Sequence, residues 1–179
     1  MKCIYYLSPT LKQTTQIAED LRKVGVDDWF LHVHSKDEHG VVCNKMHSSN
    51  YLERLDFIRK GIIGALIGFA ASIAAALLAG AVQPFGTPIT PLGYLAIIVL
   101  ITCFGAWVGG LIGVSNQNKK IAHFNSEIAA GKYLILIYGK DHQLPKIKEM
   151  MTTNHPEAQL AAVDPYFYNP FKDLELATA

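Results

Sequence analysis

The sequence predicts an α+β protein in which a small cytoplasmic domain is split in two by a transmembrane helical hairpin. Two observations indicate the hairpin: residues 62–82 and 92–114 are rich in Ala and Gly, and neither segment contains Asp, Glu, Lys, Arg or His. A third indicates the domain, because a strand–helix–strand pattern occurs once before the hairpin and once after it. We therefore expect one domain assembled from two chain halves.

Both apolar segments are long enough to span a membrane. A helix of about 20 apolar residues crosses the hydrocarbon core of a bilayer, and each segment reaches that length. The alternative is a buried helical hairpin in a soluble protein. Two uncharged runs of this length in a 179-residue chain leave too little protein to bury them, so the sequence favours two spans.

Basic residues flank the spans on one side only. They are Arg54, Arg59, Lys60, Lys119 and Lys120. The connector, residues 83–91, carries no charge. By the positive-inside rule, both termini are expected in the cytoplasm. The net charge of +1, with both signs scattered along the chain, argues against nucleic acid as a partner.

The first half begins with an apolar run, residues 3–7, that predicts a buried strand. Thr10 and Gln13 then have the spacing of a capping box, which predicts a helix that ends at Gly25. Its inward positions are Leu11, Thr14, Ile17, Ala18, Leu21 and Val24. Residues 29–34 are predicted as a strand, and residues 37–40 as a turn before Val41 and Val42.

The second half repeats this order. Residues 132–138 are rich in apolar and β-forming side chains and predict a central strand. Residues 144–151 predict a short helix with Pro145 in its first turn. Residues 158–163 predict a closing strand that ends before Pro165.

Two βαβ halves joined through their inner strands predict a split ferredoxin-like domain, with a four-stranded sheet and both helices on one face. The two halves are residues 1–49 and 131–164, and residues 165–179 form an aromatic tail. Residues 50–130 contain the hairpin with cytoplasmic helix extensions, 50–60 and 116–130, that are expected to pack on each other. The apolar residues in helical register on these extensions are Leu52, Leu55, Ile58, Ile121, Phe124 and Ile128.

Several of these segments resemble a known group. They are the runs GIIGALIG at 61–68 and GAWVGGLIG at 105–113, the KDEHG turn at 36–40, and AGK at 130–132 before the hydrophobic strand. Together they resemble the bacterial two-span, glycine-zipper membrane proteins related to general stress proteins. The resemblance implies a bacterial inner membrane and a stress association, and it implies no chemistry. The tail is not typical of that group.

Small residues recur every four positions in both spans. They are Gly64, Gly68, Ser72, Ala76 and Gly80 in the first span, and Gly105, Gly109 and Gly113 in the second. This spacing places them on one helix face and lets two backbones approach closely. The contact lies either inside one hairpin or between subunits. Because two faces of this length exceed what one hairpin needs, we expect a homo-oligomer in the lipid bilayer.

A histidine-rich stretch is the candidate metal site. Its candidate ligands are His32, His34, His39, Cys43 and His47. His32 and His34 would face one side of a strand, Cys43 and His47 have helical spacing, and imidazole and thiolate suit Zn or Cu. The established structural-zinc spacings are absent, so solvated histidines on a strand face are the alternative.

The tail contains the run PYFYNPF at residues 165–171. Its aromatic residues are Tyr166, Phe167, Tyr168 and Phe171, and we expect them to dock on a neighbouring subunit or on the open face of the protein's own sheet. A disordered terminus is the alternative.

No enzyme motif is present: phosphate-binding loop, His-Glu-x-x-His and nucleophile-elbow patterns are all missing from the sequence. We therefore expect a non-enzymatic membrane protein whose cytoplasmic domain senses, scaffolds or docks, without a resident cofactor. The alternative is an oligomeric ion channel or metal-ion transporter. One hairpin cannot enclose a solute pathway, and the spans contain no ionisable residue of the kind that coupled carriers use.

Overall fold

The structure is a computed structural model that describes residues 1–44, 46–48, 55–83, 86–166 and 169–177. It divides into two compact units. The first, here called the α+β domain, combines Met1–Asn50 with Lys119–Ala179. The second, Tyr51–Asn118, contains the hairpin.

The elements alternate between strands and helices on both sides of the hairpin. Before it come β1 (Lys2–Ser8), α1 (Leu11–Lys23), β2 (Leu31–His34), α2 (Glu38–Cys43) and β3 (His47–Ser48). The hairpin consists of α3 (Phe57–Val82) and α4 (Pro91–Val114). After it come α5 (Lys119–Ala122), α6 (Asn125–Ala129), β4 (Tyr133–Gly139), α7 (Leu144–Asn154), β5 (Gln159–Asp164) and β6 (Glu175–Leu176).

One sheet contains strands from both chain halves, in the order β3-β2-β4-β1-β5-β6. The strand β4, which follows the hairpin, pairs antiparallel with β1 and with β2, which precede it. Ile137 lies opposite Ile4 on one side and Leu31 on the other. The α+β class and the four predicted strands are confirmed; the two-residue edge strands β3 and β6 were not predicted.

The first sheet face packs against α1 and α7. Ile17 and Leu21 of α1 and Ile147 of α7 are fully buried against β1 and β4. The local signals that predicted α1 are confirmed: the Thr10 hydroxyl accepts a hydrogen bond from the Gln13 N–H at 3.4 Å, and Gly25 adopts a left-handed φ of 91°. Both helices therefore cover one face, as predicted.

The second sheet face is covered rather than open. Ile121, Phe124 and Ile128 pack against Tyr5, Leu136 and their neighbours, with the Phe124 ring stacked on Tyr5 at 5.8 Å between centroids. The predicted helix extension 116–130 is thus wrong in two respects. It is broken into α5 and α6, and its apolar residues contact the sheet, because that face offers a wide apolar surface to bury. Of the other extension, 50–60, residues 50–54, which include Leu52, lie outside the described residues.

Two local predictions before the hairpin are also wrong. Trp29 and Phe30 belong to a 3-10 turn, Asp28–Phe30, rather than to the following strand, because the Phe30 N–H donates back to the Asp27 carbonyl. The predicted turn at residues 37–40 is the first turn of α2, because the Asp37 side chain accepts from the Gly40 N–H at 2.9 Å and so caps a helix.

Candidate functional site

The hairpin helices are long, apolar and exposed. Both are strongly apolar, and only 17% of the most apolar 18-residue stretch of α3 and 11% of that of α4 is buried. Large side chains such as Leu66, Leu100 and Trp107 are more than half exposed. The core helices of a soluble protein would be mostly buried, so these two helices have the length, composition and exposure suited to crossing a membrane.

The predicted small residues lie where α3 and α4 meet. A Cβ added to Gly68 would lie 2.8 Å from the Ile101 carbonyl oxygen, and one added to Gly109 would lie 2.9 Å from the Cα of Gly64. Gly105 and Gly113 are equally close to the backbone of α3. The structure therefore uses the glycines to bring two backbones of one hairpin together.

Towards the connector the same stripe meets side chains instead of backbone. Ser72 and Ala76 are buried, and the Ser72 hydroxyl donates to the Phe69 carbonyl at 2.7 Å. At Gly80 the nearest group is the Tyr94 hydroxyl, 2.6 Å from an added Cβ. An open apolar groove of about 250 Å³ lies at this end of the hairpin, lined by Ile73, Ala76, Leu77, Gly80, Tyr94 and Ile98.

Polar contacts close the opposite end of the hairpin. Leu55 and Gln117 form an antiparallel bridge, and the Asp56 N–H donates to the Asn116 carbonyl at 3.0 Å. The Asp56 carboxylate, nearly buried, accepts from the Arg59 guanidinium at 3.4 Å. The chain segments just before α3 and just after α4 are thus hydrogen-bonded to each other.

The five predicted metal ligands separate into two pairs, with His34 apart from both. His32 and His47 are opposed on β2 and β3, with ring centroids 6.3 Å apart, and His34 is buried further along β2. Cys43 contacts His39 at 3.5 Å instead of His47, because α2 ends at Cys43 and the helical spacing does not continue. Within the described residues, no three His, Cys, Asp or Glu side chains are placed to hold a metal ion.

The tail meets the protein's own sheet, although the rings of Tyr166 and Phe171 are not buried there. Strand β6 pairs with β5, and Leu174 packs against the second sheet face. Tyr166 and Phe171 remain 54% and 50% exposed, and Lys172 lies over the Tyr166 ring. Phe167 and Tyr168 lie outside the described residues.

A buried ion pair connects the tail and the end of β5 to α5. The Lys120 ammonium donates to the Asp164 carboxylate at 2.5 Å and to the Asn169 carbonyl at 3.3 Å. Asp164 is fully buried, and its other oxygen accepts from the Tyr166 N–H. Sequence reasoning missed this pair because 44 residues separate its members and neither side chain lies in a recognisable motif.

A second polar cluster joins α1 to the segment after α7. His155 is buried, and its ring nitrogens lie 3.0 Å from an Asp20 oxygen and 3.4 Å from a Glu157 oxygen. A hydrogen bond from Lys23 is the main cause that lowers the pKa of Asp20, and His155 adds to it. This cluster was not predicted either, since Asp20 lies among surface residues of an amphipathic helix.

Burial also changes the acidity of two tyrosines on the sheet. It raises the pKa of Tyr6 to about 12, since a phenolate in the apolar core would lose its hydration. The pKa of Tyr133 is raised by burial and by the neighbouring Asp37 carboxylate. Both side chains therefore stay neutral at physiological pH, which suits a structural role.

The chain matches no protein-family model, no curated protein and no solved structure.

Proposed function

We propose that this chain is a non-enzymatic protein of the bacterial inner membrane whose cytoplasmic α+β domain, a split ferredoxin-like domain, docks or senses at the membrane surface. The hairpin is its anchor. The order β2-β4-β1-β5 with antiparallel neighbours supports the ferredoxin-like topology, since this is the order that two interleaved βαβ units produce.

A single observation carries the proposal: β4 lies between two strands that precede the hairpin. The chain must therefore return to the side of the membrane from which it left. Two spanning helices do this, and one or three would not. The basic residues that flank the two helices predict the same topology, independently of the strand order.

The domain supports docking or sensing better than catalysis. Its polar clusters at Lys120–Asp164 and Asp20–His155 are contacts between elements of the fold. They hold the domain together, and the glycine contact holds the hairpin together. The proposal includes no cofactor, because the candidate ligands for Zn or Cu form separate pairs.

Homo-oligomerisation stays a prediction, but the glycine stripe no longer supports it. The glycine stripe packs α3 on α4 within one hairpin, so a second copy would have to use the outward faces. The mass of the protein in native detergent micelles tests it, and a monomeric mass would remove the oligomer from the proposal.

Labelling with a membrane-impermeant maleimide tests the topology. Cys43 is exposed on α2 and serves as a native reporter of the domain, and Cys103 lies within α4. In intact cells we expect Cys43 to react only after permeabilisation, whereas a Thr87→Cys, Cys43→Ser variant should react directly at its connector. Labelling of Cys43 in intact cells would contradict the topology.

A flux measurement tests whether the protein transports ions. Proteoliposomes containing the purified protein should release K⁺, Zn²⁺ and protons no faster than protein-free vesicles. A protein-dependent flux would favour the channel or transporter alternative over the proposal.

A further inference from the structure

The side chain of Trp29 is the starting point. It is 74% exposed, more than any other large apolar side chain in the described part of the chain, including those on the outer faces of the hairpin. Phe30, beside it, is 37% exposed. A soluble domain gains no stability from an indole held in water, because burial of its apolar surface is what makes a tryptophan favourable.

The turn that carries Trp29 is held firmly. The Phe30 N–H donates to the Asp27 carbonyl at 2.9 Å, and the Arg22 guanidinium of α1 pairs with Asp28 at 2.5 Å. The indole also lies 5.9 Å from the exposed His47 ring of β3. The outward position of this turn is therefore part of the fold, and little backbone entropy remains to be lost when a partner covers Trp29.

The chain itself brings one partner close. His47 precedes Phe57, the first residue of α3, by ten residues. At about 3.3–3.6 Å per residue, the chain between His47 and Phe57 can extend to at most roughly 35 Å. A bilayer that holds the hairpin is thus present at a high effective concentration, which no freely diffusing protein matches.

The chemistry of the site also fits that partner. Tryptophan favours the bilayer–water interface, where the ring is apolar and the N–H stays hydrated. The α+β domain has equal numbers of basic and acidic side chains, and Asp27 beside the turn is exposed. Attraction to anionic lipid is therefore not the driving force, and a zwitterionic surface is sufficient.

We propose that Trp29, with Phe30, inserts into the headgroup region of the bilayer that the hairpin spans, and so gives the α+β domain a membrane contact of its own. This inference rests on the proposed membrane anchoring. It adds that the domain is oriented on the surface by an aromatic contact, beyond its attachment through the chain.

The two tryptophans of the chain allow a direct test. Trp107→Phe leaves Trp29 as the only tryptophan, and Trp29→Phe leaves Trp107, which is exposed on α4. Each full-length variant is reconstituted into phosphatidylcholine vesicles with bromine either near the headgroup end or near the middle of the acyl chains. Both changed side chains are largely exposed, and circular dichroism checks that the fold is kept.

We expect the Trp29 emission to be blue-shifted from that of indole in water and quenched about twofold by shallow bromine, with weaker quenching by deep bromine, as for an interfacial tryptophan. Iodide in the aqueous phase should quench it weakly. Trp107 should be quenched by brominated lipid because it lies within a spanning helix.

The possible outcomes separate the two proposals. If Trp107 is quenched and Trp29 is accessible to iodide only, the interfacial contact is wrong and the anchor stands. If Trp29 is protected from both iodide and bromine, a protein surface such as a second copy covers it, and the inference is again wrong. If bromine quenches neither tryptophan, the membrane anchoring itself fails.

Discussion

The α+β domain and the hairpin are held together by opposite means. In the domain, large side chains such as Ile4, Ile137 and Ile147 are completely buried, and their removal from water stabilises the fold. In the hairpin, many large side chains are exposed, and the closest backbone contacts are made at glycines. This contrast is what the proposed membrane anchor requires: burial of apolar surface gives no gain in lipid, so close backbone approach has to supply the association.

The largest expected effect concerns the buried ion pair of the domain. Lys120→Met should destabilise the domain by about 3–5 kcal/mol, because it leaves the fully buried Asp164 carboxylate without its cation. Urea unfolding of the full-length protein in detergent measures it. Lys119 is the matched control, since its pair with Asp173 is exposed and Lys119→Met should cost less than about 1 kcal/mol. Equal losses of stability in Lys120→Met and Lys119→Met would contradict the expected difference between a buried and an exposed ion pair.

A core truncation tests burial in the domain. Ile137→Ala should cost about 2–5 kcal/mol, since it leaves a cavity in the middle of the sheet. Val42→Ala on the exposed side of α2 should change stability by less than about 0.5 kcal/mol. The same urea titration compares them. A tolerated Ile137→Ala would mean that the domain core is looser than its burial indicates.

Two glycines on one helix test close approach in the hairpin. Gly64→Ala pushes a methyl group into the backbone at Gly105 and should destabilise the helix pair by about 1–3 kcal/mol. Gly61→Ala meets nothing nearer than 3.8 Å and should be neutral or stabilising, because alanine favours the helix by up to about 1 kcal/mol. Thermal unfolding followed by the helical signal in detergent separates the variants. Similar melting of both would show that the glycine contact is unimportant.

The smallest expected effect is a pH dependence from Asp20. Its pKa lies below the usual 3.8 in the folded protein, first because of the Lys23 hydrogen bond and also because of His155. The ionised form is favoured by folding, so this contribution is present above about pH 4 and is lost as the pH falls through the lowered pKa. Asp20→Asn should therefore be less stable than the wild type near pH 7, and the difference should shrink as the pH falls below about 4 and through the lowered pKa. A difference that persists at low pH would point to lost packing instead.

Local signals explain how much of the fold could be predicted. Helix α1 has both ends marked, by Thr10 and by Gly25, and the spans are marked by length and lack of charge. Short β-branched runs were less informative: Val41 and Val42 lie in α2 because the Asp37 cap outweighs their strand preference.

The features that were not predicted depend on contacts between residues far apart in the chain, which a single sequence does not display. The spacing of Ile121, Phe124 and Ile128 correctly predicted a shared apolar face, but the partner is the sheet. The predicted glycine stripe does bring helices together, although within one hairpin. The pairs Lys120–Asp164 and Asp20–His155 have no local signature, since they form only after both chain halves are folded.

The position of β4 between β1 and β2 also sets the order of events during synthesis. Strand β2 ends at His34, and its partner begins at Tyr133, on the far side of both spans. At about 5–20 residues per second, a ribosome needs roughly 5–20 s to cover that distance. During this time the first half has no central strand to pair with, and the hairpin reaches the insertion machinery first. On the proposed topology, membrane integration is expected to precede closure of the sheet, so that the α+β domain folds only on chains whose hairpin has already entered the bilayer.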